Sequence, residues 1–77
     1  MSEPVLVDNL RAASGLVFDE VVHRATVAET YSRAAADFAS IQDRRGAAYA
    51  LRQAAVALGS AADAVATLYP EHREGGR

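Results

Sequence analysis

Arg44 to Tyr69 reads RRGAAYALRQAAVALGSAADAVATLY, and this stretch decides the fold. Ala47, Leu51, Ala54, Leu58, Ala61, Val65 and Leu68 recur at alternating intervals of four and three, which predicts one face of a long helix with a heptad-like seam. Asp43 stands just ahead of it as a cap, where an acid suits the positive end of the helix dipole. Pro70 ends it. Gly46 and Gly59 weaken it locally, and Gly59-Ser60 is a place where it kinks or splits.

Upstream, Val17, Val21, Ala25 or Ala28, Tyr31, Ala35 and Phe38 form a second stripe at helical spacing, predicting a helix over about 16–40. Its opposite side carries Glu20 with Arg24 and Glu29 with Arg33. These acid-to-base pairs at i, i+4 are worth about 0.2–0.5 kcal/mol each and mark a solvated face. Further back, Pro4 suits a first helical position after Ser2 or Glu3. Leu6, Leu10 and Ala13 follow at helical spacing. Ser14-Gly15 then predicts a break, leaving a short first helix near residues 4–13.

Ser40-Ile41-Gln42-Asp43 joins the two long segments. A turn this short makes them antiparallel neighbours. The expected fold is therefore all-α: an antiparallel helical hairpin of two long helices, about 16–40 and 44–69, preceded by a short N-terminal helix. Residues 1–69 form a single helical domain, and 70–77, polar and glycine-bearing, form a flexible C-terminal tail.

Bulk properties bound the function. Seventy-seven residues is one domain at most. A chain of this size buries only about 60% of the surface its unfolded form exposes, so a lone core is marginal. The sequence has no cysteine, which removes disulfides and most structural zinc sites. His23 and His72 are far apart. Association is the remaining way to stabilise such a chain. The net charge of −2 and pI of about 5.5 argue against a free-standing nucleic-acid binder. Charged residues interrupt every apolar run before the roughly 18 residues of a membrane span. Ser2-Glu3-Pro4 lacks a basic signal-peptide region, so the expected address is cytoplasmic.

Alanine makes up about a quarter of the chain. It is the best helix former but adds little area when buried. The last long helix also carries apolar residues outside its stripe: Tyr49, Ala50, Ala55, Val56, Ala57, Ala62, Ala64 and Ala66. A helix that is apolar nearly all round is normally covered nearly all round. One partner helix and a ten-residue segment do not suffice, so a second copy or another protein is expected to cover the rest.

Tyr31 to Leu58 resembles one tetratricopeptide-type helix-turn-helix unit. Tyr31 takes the first aromatic slot, Ala34 the leucine slot, Ala35 the small slot and Phe38 the tyrosine slot. Ala47, Leu51 and Ala54 take the second-helix slots, and Asp43 matches the polar turn. Tryptophan is missing, the leucine slot holds alanine, and the closing proline slot holds Gly59. One copy covers about a third of the chain, where such repeats normally need about three. The resemblance implies peptide or protein binding without catalysis. Secreted helical hairpins with a tryptophan-any-glycine turn are a further comparison, but Ile41 to Gly46 holds no tryptophan.

No catalytic constellation emerges. Ser14, Ser32, Ser40 and Ser60 have no paired histidine, so no nucleophile and base are expected together, no enzyme activity and no cofactor. Asp19, Glu20 and His23 share one helical turn but lack a second ligand pair, so no metal site is expected. Arg44, Arg45 and Arg52, with Arg33 at the same end, form a candidate basic patch for an acidic partner or a nucleic-acid backbone. Aromatic residues Tyr31, Phe38, Tyr49 and Tyr69 read as core or interface anchors. The leading expectation is a small, non-enzymatic protein–protein interaction module, a hairpin that self-associates as a homodimer or docks on a larger protein. Tyr49, Leu51, Val56, Leu58, Val65 and Leu68 are its expected contacts, with Arg44, Arg45 and Arg52 at the rim. The alternative is a small transcriptional or nucleic-acid-associated regulator using those arginines.

Overall fold

A computed structural model describes residues 3–68, with side chains from Val7 to Leu68. The chain folds as two α-helices, α1 from Glu3 to Ser40 and α2 from Arg44 to Ala66. They pack side by side as an antiparallel hairpin. Among the described residues there is no strand.

α1 corrects one expectation. It runs unbroken for 38 residues through Ser14-Gly15, so there is no separate short N-terminal helix. Glycine lowers helix propensity by about 1 kcal/mol but still donates and accepts in the backbone ladder. Ser14 and Gly15 can serve as caps, but neither forces a stop as an interior proline does, and the helix continues through them. A Cβ at Gly15 would meet nothing within 4 Å, so no close approach demands the residue. α2 likewise passes through Gly59-Ser60. It ends earlier than expected, at Ala66. The Thr67 and Leu68 amides donate to the Ala64 and Val65 carbonyls at 3.2 and 3.0 Å, a tightened last turn. The expected tail at 70–77, with Tyr69 and His72, lies outside the described residues.

The connection is compact because two caps share it. The Asp43 amide donates to the Phe38 carbonyl at 2.8 Å, and the Gln42 amide to the Ala39 carbonyl at 2.9 Å. With Gln42 at φ 61°, this is the paired-bond helix stop normally built on glycine. The next residue then starts α2. The Asp43 carboxylate accepts from the Gly46 amide at 2.9 Å, satisfying one of the free donors of the new helix. The predicted cap is therefore in place.

This turn also sets the rotation of α2 about its axis. A Cβ on Gly46 would lie 2.5 Å from the Phe38 Cδ1 and 2.7 Å from its Cγ. The phenyl ring therefore occupies the space that any other residue would fill. Phe38 is thereby seated on the Gly46 side of α2, and that side is turned toward α1.

The core follows from that rotation. Its buried apolar residues are Ala28 and Ala35 from α1 and Ala50, Ala54, Ala57 and Ala61 from α2. Around them Val17, Val21, Tyr31 and Phe38 are half-buried, so the expected α1 stripe holds, with Ala28 rather than Ala25 facing inward. The α2 stripe is corrected. Ala54 and Ala61 are buried as expected, but the residues alternating with them are Ala50 and Ala57, and Leu51, Leu58 and Val65 are exposed. The two choices differ by one residue, about 100° of rotation. With leucine inward, the side chains at 51 and 58 would hold the axes apart and lift Phe38 off Gly46. With alanine inward, the backbones close on each other. Each buried methyl contributes only about 0.8 kcal/mol, against about 1.5–3 for a buried leucine, so the seam is close-packed but thin.

Candidate protein-interaction surface

The alanine seam leaves the larger side chains elsewhere. Leu51, Leu58 and Val65 follow one another at seven-residue steps, with 57%, 55% and 37% of their surface exposed. Each lies one position after a seam residue: Ala50, Ala57 and Ala64. Ala55 and Ala62 fall between them on the same stripe. On α1, Phe18, Val22, Ser32 and Ala36 likewise follow the seam residues Val17, Val21, Tyr31 and Ala35, and Ala25 lies among them. Two facing antiparallel helices place the residues that follow their seams on one common side. Leu51, Leu58 and Val65 therefore share a flank with Phe18 and Val22, which are also exposed.

On α2 this flank is uncharged from Ala47 to Ala66. Ala47, Ala48, Leu51, Ala55, Leu58, Ala62, Val65 and Ala66 make it up, with Arg44 beyond its N-terminal end. On α1, Glu29 follows Val22 by seven residues and precedes Ala36 by seven, so it is an acid on this flank, level with Leu58. Contiguous exposed apolar surface of this kind marks docking sites more often than scattered single residues do.

The opposite flank differs in chemistry. Tyr49 meets Tyr31 there edge to face, with ring centroids 6.3 Å apart and planes at 75°. Gln53, Val56 and Ser60 continue it on α2. On α1, His23, Thr26, Val27, Thr30 and Tyr31 line an open groove. The Thr26 and Thr30 hydroxyls donate back to the carbonyls of Val22 and Thr26 at 2.8 and 3.1 Å.

The expected contact residues thus divide. Leu51, Leu58 and Val65 lie together on the aliphatic flank. Tyr49 and Val56, though exposed, belong to the other side, and Leu68 is half-buried at the end of the hairpin. Phe18 and Val22 were missed. Their signal was present as an i, i+4, i+7 set with Ala25, parallel to the main stripe but one residue out of phase.

The arginines do not gather. Arg44, Arg45 and Arg52 are exposed, but Arg44 points to the aliphatic flank while Arg45 and Arg52 point outward from α2. Arg33 leaves α1 on its far edge, directly away from α2. Of the two expected ion pairs, Glu20 and Arg24 are joined at 2.5 Å. Glu29 and Arg33 are not, and Asp8 pairs with Arg11 at 3.6 Å instead. Among the described residues no three histidine, aspartate or glutamate side chains converge as a metal site. None of the described helices is long and apolar enough to cross a membrane. Compared with known proteins, the chain matches no family model, no curated protein and no solved structure.

Proposed function

We propose that this chain is a non-enzymatic protein–protein interaction module whose working surface is the aliphatic flank of the hairpin. The observation that carries the reading is the inversion of size between inside and outside. Alanines are buried, while Leu51, Leu58, Val65, Phe18 and Val22 face solvent. A leucine left half-exposed forgoes stabilisation of about 1 kcal/mol or more that burial supplies. A chain whose own core is this thin gains most from covering that surface with a partner.

Replacing Leu51 and Leu58 together by glutamate tests the reading. Both sites are exposed in the hairpin, so helicity by circular dichroism is expected to persist. Association, whether with itself in sedimentation or with a purified partner, is expected to be lost. Unchanged association in the double variant would overturn the reading.

A further inference from the structure

We infer that the occupant of the aliphatic flank is a second copy of this chain, seated antiparallel about a two-fold axis that passes near Leu58. The inference rests on the reading of that flank as a docking surface and adds the identity and orientation of what docks there.

The register points to a helix as the partner. Leu51, Ala55, Leu58, Ala62 and Val65 step by four, three, four and three, a second heptad seam on α2 beside the alanine one. Such a seam is complementary to another helix carrying similar spacing.

The order of sizes points to the same chain. Along α2 the flank runs large, small, large, small, large, a pattern that reads alike from either end. A two-fold axis across the helices reverses one copy against the other. Leu58 then meets the partner's Leu58, Leu51 meets the partner's Val65, and the alanines oppose one another. On α1 the pattern is polar in size, with Phe18 and Val22 at one end and Ser32 and Ala36 at the other. Reversal about the same axis lays each large pair over the partner's small pair. Both helices therefore fit a reversed copy of themselves.

Charge opposes the pairing at one point. In a two-fold interface every charge confronts its own image or a neighbour of it, so a charged face repels itself. The α2 flank carries no charge from Ala47 to Ala66, but Glu29 shares the α1 stripe with Val22 and Ala36 and faces its own image near the axis, so Glu29→Gln is expected to tighten the dimer.

Area sets the strength. α2 has 23 residues, about 34 Å of helix, and two side-by-side helices span about 18 Å, so the face offers on the order of 600 Å2 per copy. That is the small end of stable interfaces, which bury about 800 Å2 per partner. The dimer is expected to dissociate in the micromolar range.

Because the sequence has no cysteine, single-cysteine variants give a direct test. Leu58→Cys is expected to cross-link to itself under mild oxidation, since a two-fold axis near that residue brings the two thiols within disulfide reach. Val56→Cys, equally exposed on the opposite flank, is expected to remain uncross-linked at the same concentration. Sedimentation equilibrium from 1 to about 200 µM should show monomer and dimer alone, and Leu58→Arg should weaken the dimer at least a hundredfold. Cross-linking through Val56→Cys with none through Leu58→Cys, or assembly beyond a dimer, would overturn the inference. So would a monomer at every concentration. In that case the dye bis-ANS separates the two levels. Dye binding that Leu58→Arg abolishes leaves the flank as a docking surface for a different protein. No dye binding by the native monomer removes the docking reading as well.

Discussion

Two stripes of α2, one residue out of phase, have opposite roles. Ala50, Ala54, Ala57 and Ala61 are buried against α1, while Leu51, Leu58 and Val65 stand beside them in solvent. In a self-sufficient domain the larger stripe would be inside, because it would bury more apolar area. The reverse arrangement holds here because the turn, Phe38 and Gly46 fix which side of α2 meets α1. Closeness between the two helices is obtained with small side chains, and the large ones are left exposed on the flank.

The largest expected effect comes from enlarging the inner stripe. Ala57→Leu forces a leucine between backbones spaced for a methyl and is expected to cost about 3 kcal/mol. A urea melt followed by circular dichroism measures it. The matching change on the outer stripe, Leu58→Ser, is expected to cost no more than about 0.5 kcal/mol in protein diluted below the association range. Equal losses at 57 and 58 would erase the distinction between the stripes.

The origin of the rotation is tested next. Gly46→Ala places a Cβ within 2.7 Å of the Phe38 Cγ and 2.9 Å of the Asp43 Oδ2, so the ring must move. A loss of about 2 kcal/mol is expected, because packing strain at a fixed turn relaxes poorly. Combining it with Phe38→Leu should recover part of that loss, and a double-mutant cycle reads the coupling. Additive losses would mean that Phe38 and Gly46 do not set the helix phase together.

Smaller effects belong to the caps. Asp43→Ala removes the acceptor for the Gly46 amide and is expected to lower stability by about 1 kcal/mol. Gln42→Gly acts in the other direction. At φ 61° a residue with a Cβ is held in left-handed backbone that glycine adopts freely, so a gain of about 0.5–1 kcal/mol is expected in the same melt.

Much of this was legible in the residues. The two periodic segments, the short turn and the Asp43 cap gave the all-α hairpin without any structure. The α1 stripe was readable because its large residues, Val17, Val21, Tyr31 and Phe38, do face α2. On α2 the same habit of following the large residues chose Leu51, Leu58 and Val65, when the fold faces Ala50 and Ala57 inward. Ala47, Ala54, Ala61 and Leu68 belong to both phases, so periodicity alone does not decide between them. What decides is a contact between Phe38 and Gly46, which no spacing rule encodes. Ser14-Gly15 misled for a simpler reason, since a low-propensity pair inside a long helix lowers its stability without ending it.

For the candidate surface, the sequence supplied half of one flank and mixed in residues of the other. Leu51, Leu58 and Val65 were identifiable as surplus apolar residues. Tyr49 and Val56 were surplus too, and composition has no sense of side. Phe18 and Val22 escaped because they sit next to a stripe already assigned to the core.

The most direct test is an isotope-edited NMR experiment on labelled chain diluted into unlabelled chain, so that contacts within one molecule are separated from contacts between copies. The account predicts methyl contacts from Ala50, Ala54 and Ala57 to Ala28, Tyr31 and Ala35 within one chain. Strong intrachain contacts from Leu51 and Leu58 to Ala28 and Ala35, with Ala50 and Ala57 showing none, would contradict it.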